Sequence, residues 1–293
     1  MGFQEQIIQL IFSGLTIGSI YALIATGFVI TYNITGVLNF AQGEFAMLGA
    51  MISISLVSAG LPQIPAFILT ILIVFLLGAV FERVAIHPAR RSKGSTMIII
   101  TIAVAIAVRG IGLLIWGTDP KILPPFTVGE PLNIMGAVVQ LQSLWAIGVT
   151  LASLFIMYIF FERTFMGKAV TACVVNRFAA QLMGIKPEKM SLISISVSAA
   201  LGAIGGIIIA PISGATYEMG LMLGMKAFIA AVIGGLTNAP AAIVGALIVG
   251  LLEAFTEGMW SSGYKDLIIF GVLLLVLFFL PNGLFAKISG KRV

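Results

Sequence analysis

One cysteine, Cys173, and one histidine, His87, are all that 293 residues provide of either type. A lone thiol excludes an internal disulfide and a cysteine-built metal cluster. The single imidazole stands beside Pro88 at the end of an apolar run, a place for a surface role rather than for metal or acid–base work. No metal site is expected. Charge is almost as scarce, with Asp, Glu, Lys and Arg making up 9% of the chain. Also missing are a Gly-x-x-x-x-Gly-Lys-Ser/Thr phosphate loop, a His-Glu-x-x-His pair and a Gly-x-Ser-x-Gly elbow, so ATP hydrolysis by the usual route is excluded and no catalytic residue is named.

What fills the chain instead is apolar: 60% of residues are hydrophobic and the mean hydropathy is +1.15. That composition belongs to a polytopic membrane protein and not to a soluble domain. A hydrocarbon core about 30 Å thick takes about 20 apolar residues per helix, and backbone polar groups in lipid must be satisfied within each segment. The predicted segments are 7–31, 37–59, 63–86, 95–116, 143–162, 190–210, 226–237, 239–254 and 264–281. The fold class is therefore all-α, a membrane helical bundle with about eight spanning helices plus a short broken or re-entrant hairpin. That hairpin is 226–254, where Thr237-Asn-Ala-Pro240 interrupts the apolar run because proline cannot continue the hydrogen-bond ladder. One continuous span and a hairpin both fit the residues.

Charge placement favours the hairpin. Basic residues cluster at Arg83, Arg90, Arg91 and Lys93, at Arg163, Lys168, Arg177, Lys186 and Lys189, and at Lys287, Lys291 and Arg292, which together hold 12 of the 16. Lysine and arginine near helix ends stay on the cytoplasmic side. All three clusters share one side only if 226–254 goes in and comes back, which puts the N-terminus outside and the C-terminus inside. Arg90 and Arg91 are read as orientation determinants. The remaining connections carry Glu5, Asp119, Glu130, Glu218, Glu253, Glu257 and Asp266 against Lys121, Lys226 and Lys265, an acidic outside. The net charge of +5 thus reports topology, not nucleic acid. The start, Met-Gly-Phe-Gln-Glu-Gln, has no basic region or cleavage site, so the first helix is expected to stay in the mature protein, and no Ser or Thr at the sixth position supports a myristoyl group.

A charge at the bilayer centre costs at least ~2.5–3.5 kcal/mol, and only Glu44 and Arg109 are read as lying well within apolar segments. Glu44 ends Asn39-Phe-Ala-Gln-Gly-Glu44, a polar start to the second helix after the Asn33-Ile-Thr-Gly36 break. Irregular backbone at depth must face protein or water. Asn39, Gln42 and Glu44 are accordingly candidates to line a translocation pathway; Glu44 could equally pair with Arg109 and lock two helices together. Gly14-x-x-x-Gly18 and Gly202-x-x-Gly205-Gly206 set small residues one turn apart, for packing within the chain or against a second subunit.

Between Arg163 and Lys189 small, apolar and polar residues recur at helical spacing from Met166 to Ile185, and Gly184 and Pro187 stop the run. A short helix of this kind lies along the membrane surface or enters a groove on a partner. Phe178-Ala-Ala-Gln-Leu-Met-Gly184 resembles the Glu-Ala-Ala-x-x-x-Gly loop of bacterial ABC importer permeases, with phenylalanine in the glutamate's place. Gly18-Ser-Ile-Tyr-Ala-Leu23, Gly36-Val-Leu-Asn-Phe-Ala-Gln-Gly-Glu-Phe-Ala-Met-Leu-Gly49 and Ala230-Ala-Val-Ile-Gly-Gly-Leu236, with Pro240 and Gly245, are similar to the LivH-type permease of branched-chain amino acid importers over nearly the whole chain.

The resemblance implies a single permease domain over 1–293, in the bacterial inner membrane and its lipid. It also implies a second related permease, two ABC ATPase subunits that consume ATP and Mg, and an extracytoplasmic substrate-binding protein. No cofactor is bound by the chain itself. Asn176, Arg177, Phe178, Ala179, Ala180 and Gly184, within a coupling loop at about 163–189, would rest in an ATPase groove, so that Ala180→Glu would uncouple transport. The same family pattern accommodates urea, short amides or other amino acids. A gradient-driven carrier is the alternative class, though such carriers commonly hold several intramembrane ionisable groups.

Overall fold

The computed structural model describes residues 2–90, 92–134, 136–280 and 283–285. In chain order the helices are α1 Phe3–Thr35, α2 Gln42–Ser58 and α3 Gln63–Phe81, the last continued by a π-helical turn Glu82–Ile86 and by α4 His87–Ala89. After them come α5 Gly94–Trp116, α6 Leu141–Arg163, α7 Phe165–Val175, α8 Arg177–Leu182 and α9 Pro187–Ser213. The last three are α10 Met219–Gly234, α11 Ala239–Met259 and α12 Lys265–Phe279. Among the described residues seven stretches are long and apolar enough to cross a membrane, and α2 and α10 are shorter apolar helices of 17 and 16 residues. The connection 117–140, outside every predicted segment, forms a hairpin of β1 Leu132–Ile134 and β2 Ala137–Val139 with Asn133 opposite Val138.

Local chemistry sets the ends. Gly36, at φ +71°, closes α1 in the left-handed conformation, and its N–H donates to the Tyr32 carbonyl at 2.8 Å. Gly235, at φ +121°, ends α10, and Pro240 sits in the first turn of α11 where no amide donor is needed. The 226–254 stretch is thus a hairpin of two helices that reverse direction. Its pairing is antiparallel: Gly234 meets Ala241, Gly245 meets Ala230, and Lys226 meets Glu253. The helix before the turn begins at Met219, earlier than the apolar run suggested, because Lys226 is inside it rather than at its edge.

The core lies among α1, α2, α9, α10 and α11, with α3, α5, α6 and α12 presenting large exposed apolar faces on the outside. Close approach of α1 and α11 depends on glycine: a Cβ at Gly18 would lie 2.9 Å from the Leu247 Cα, and one at Gly14 would lie 2.8 Å from the Leu251 Cα. Gly206 likewise packs on the Ala46 backbone. Both small-residue motifs therefore serve packing inside this chain.

The two ends of the bundle differ. At one, Asn33 donates to the Thr237 carbonyl, Arg90 meets Glu188, and the Leu284 amide donates to the Ile233 carbonyl, so the first two basic clusters and the described C-terminal turn share it. The third basic cluster and Arg91 lie outside the described residues. At the other end Gln9 pairs with both backbone groups of Val138, and Lys121 pairs with Ala215.

Candidate functional sites

The 163–189 segment is two helices, not one. Thr164 Oγ1 accepts from the Gly167 amide at 3.0 Å and starts α7. At Asn176 the backbone turns extended (φ −152°, ψ 100°), and its Oδ1 accepts from the Ala179 amide at 2.9 Å, capping α8. Gly184, at φ +81°, then closes α8 as the Ile185 amide donates to the Ala180 carbonyl. Five of the six residues assigned to this loop thus cap, close or face outward from a short bracket, while Ala180 faces inward. It is 4% exposed and packs with Val170, Cys173 and Met190. Ala180→Glu would break that small core and so would not report on docking alone. Phe178 is 70% and Met183 82% exposed, and Leu182 is also exposed. These apolar side chains stand beyond the bundle at its basic end.

At mid-bundle, α2 begins only at Gln42, after a non-helical stretch in which Asn39 Oδ1 accepts from the Ala41 amide. Gln42 Nε2 donates to the Ser198 carbonyl at 3.0 Å, and Ser198 Oγ donates to the Gly27 carbonyl at 2.7 Å. Asn39, Gln42 and Glu44 are all buried, so none of the three is open to a cavity by its own side chain. Gln42 knits α1, α2 and α9 together. Glu44 lies in the first turn of α2, and Arg109 Nη2 reaches its Oε1 at 2.6 Å, which realises the helix-locking pair. A Cβ at Gly220, in the first turn of α10, would lie 2.5 Å from Glu44 Oε2. The carboxylate thus sits at the first turns of α2 and α10, paired with one guanidinium through Oε1, while its Oε2 has no hydrogen-bond partner among the described residues. Of this group it is Arg109, with a side chain 22% exposed, that reaches the surface, one turn from Gly112 and the Tyr217 side chain.

A second ionic cluster was hidden in the sequence. Lys226 of α10 pairs with Glu253 of α11 at 2.5 Å and with Asp266 of α12 at 3.0 Å, while the Tyr21 hydroxyl of α1 donates to Glu253 at 2.6 Å. These charges, read as outer-loop residues, instead tie four helices together, and Lys226 and Glu253 are buried. The available signal was the apolar run Met219–Met225 ahead of Lys226, at helical spacing. Among the described residues no group of His, Cys, Asp and Glu could hold a metal ion.

The sequence profile of the family described as branched-chain amino acid transport system / permease component matches residues 10–277. The chain is 33% identical, over 302 aligned positions covering 98% of it and 97% of the relative, to the high-affinity branched-chain amino acid transport system permease protein LivH of Escherichia coli (strain K12). To the corresponding permease protein BraD of Pseudomonas aeruginosa it is 33% identical over 98% of each chain. The ribose import permease protein RbsC of Haemophilus influenzae is 25% identical over 92% of this chain and 84% of its own.

Proposed function

Because the chain belongs to the family of branched-chain amino acid transport system permease components, we propose that it forms half of the translocation pathway of an ATP-driven importer for branched-chain, hydrophobic amino acids. A second related permease forms the other half. Two ATPase subunits bind and hydrolyse ATP with Mg at the basic end, and an extracytoplasmic binding protein delivers substrate at the other. The basic clusters support a cytoplasmic first end in a bacterial inner membrane, with the N-terminus outside and the C-terminus inside.

The observation that carries this reading is the exposed apolar set of Phe178 and Leu182 on α8 and Met183 at its end. Among the described residues these side chains are left uncovered, and they stand at the chain's basic end. Large side chains of this kind anchor in a groove on a partner. Asn176, Arg177, Phe178, Ala179, Ala180 and Gly184 then have divided duties: Asn176, Ala180 and Gly184 hold the bracket rigid, and Arg177, Phe178 and Ala179 with Leu182 and Met183 meet the ATPase.

Arg109 supports the placement of the pathway. A partly exposed guanidinium within a membrane span does not face hydrocarbon; it faces water or protein. The α5 edge bearing Arg109 is therefore the side turned to the pathway, with Glu44, Gln42 and Asn39 as the buried wall behind it. A wall of Ala, Ile, Met and Phe around so few polar groups suits passage of an apolar amino acid without tight retention, leaving affinity to the binding protein. ATP acts by favouring one of two bundle states, which requires that the partners bind those states unequally.

The test is reconstitution of the chain with its ATPases, partner permease and binding protein in proteoliposomes. Leucine with its binding protein should stimulate ATP hydrolysis, and Phe178→Arg should abolish that stimulation and ATPase retention while leaving membrane insertion intact. Normal uptake by Phe178→Arg would remove the docking assignment. Leucine-independent flux without ATPases would remove the importer reading.

A further inference from the structure

We propose that Arg90 is a positioning residue of the transport cycle, a strut that carries motion of α8 into the end of α3. The proposal rests on the reading of α8 as the ATPase-docking element. Arg90 follows α4 at the cytoplasmic end and makes two contacts at once. Its Nη2 meets Glu82 Oε1 at 3.0 Å, and its Nη1 meets Glu188 Oε1 at 3.0 Å. Glu188 stands in the first turn of α9, where a carboxylate is favoured by the helix dipole, and its same oxygen lies 3.9 Å from Arg177, the first residue of α8. The path therefore runs from α8 through Arg177 and Glu188 to Arg90 and on to Glu82 at the end of α3.

The links differ in stiffness, and this gives the network a direction. Glu82 is fully buried, and its second oxygen has no hydrogen-bond partner. Arg90 cannot withdraw without leaving an uncompensated buried charge, so when Arg90 moves Glu82 must follow. The Arg177–Glu188 contact is solvent-exposed and long, which makes it weak and adjustable. Compliance sits at two further places. The backbone widens to a π-helical turn from Glu82 to Ile86, a departure that in helices frequently marks functional positions. Beside it is a void of about 40 Å³ lined by Ile34, Thr35, Ile86, Arg90, Cys173 and Arg177. A rigid anchor, a deformable turn and a small void under α8 together form a joint. A purely orienting arginine at a helix end needs none of these parts.

The assembled complex in proteoliposomes provides the test, read as amino acid taken up per ATP hydrolysed. Glu188→Gln cuts the strut at its exposed end, where Glu188 is 42% exposed, and leaves the Glu82–Arg90 pair intact, so folding is unaffected. The expected result is normal assembly and basal hydrolysis with uptake per ATP reduced about fivefold, the lower end of typical coupling between sites. Glu82→Gln/Arg90→Gln, which removes both charges of the buried pair, should show the same loss. Wild-type uptake per ATP in Glu188→Gln and in the double variant, while Phe178→Arg is defective, would overturn the strut and leave the docking reading standing. Loss of assembly in Glu188→Gln would also overturn it, as a structural role. Normal transport in Phe178→Arg would instead remove the docking reading, and the strut with it.

Discussion

Arg109 on α5 reaches Glu44 on the first turn of α2 at 2.6 Å, and the two side chains are exposed to very different degrees, 22% and 2%. The carboxylate is the dependent partner. It is held at the meeting point of the α2 and α10 N-termini, and the guanidinium supplies the full opposite charge. Removing that charge alone should therefore be worse than removing both. Arg109→Ala is expected to destabilise the chain by about 3–5 kcal/mol, the range for breaking a buried pair, whereas Arg109→Ala/Glu44→Gln should recover most of that loss. Thermal unfolding in detergent of the single and double variants measures the coupling; additive effects would show that the pair is not the unit.

Lys226 carries the same logic at another depth. Lys226→Met should leave Glu253 with only the Tyr21 hydroxyl as a close donor, apart from Lys265 at 3.9 Å. We expect a loss of about 3 kcal/mol or more, reversed in large part by adding Glu253→Gln. If Lys226→Met melted like wild type, these residues would be placed in a solvated loop and the start of α10 at Met219 would be wrong.

Cys173 lies under the docking bracket, packed with Ala180 and Met190. Burial pushes its thiol above the ordinary cysteine range, with Arg177 opposing and Glu188 adding to the effect. A raised value means less thiolate at neutral pH, so a maleimide should label native Cys173 at least about tenfold more slowly than it labels the unfolded chain. Labelling should quicken as pH rises and in Ala180→Glu, which opens the small core. Equal rates in native and unfolded protein would contradict the burial.

Which parts of this were legible in the sequence follows from how local each cause is. The break between α1 and α2, and that between α10 and α11, are written in Gly36, Gly235 and Pro240, whose conformational limits act within one turn. The apolar runs report spans for the same reason. Glu44 and Arg109 could be weighed as partners because both stand in unmistakably apolar surroundings. Lys226 and Glu253 could not, since 27 positions separate them and their pairing exists only once α10 and α11 lie antiparallel with Gly234 against Ala241. Asn176 hides a helix break between Val175 and Arg177, two residues that a helix accepts; only its cap contact to Ala179 declares it. The inward face of Ala180 was equally unreadable, because alanine fits both a core and a docking surface.

The four charged side chains buried among the described residues, Glu44, Glu82, Lys226 and Glu253, each have an opposite charge within 3.0 Å. Each pair that stays intact moves as an electrically neutral unit. An unpaired charge crossing the membrane would exchange about 2.3 kcal/mol with the field per 100 mV; a bundle that rearranges by carrying closed pairs exchanges almost none. Turnover should then be indifferent to voltage, with the same uptake rate at zero potential and with potassium and valinomycin holding the vesicles near −100 mV. A rate that changed with voltage would mean that one of the pairs comes apart during each cycle. The cell could let its membrane potential rise and fall without altering how fast this permease changes state.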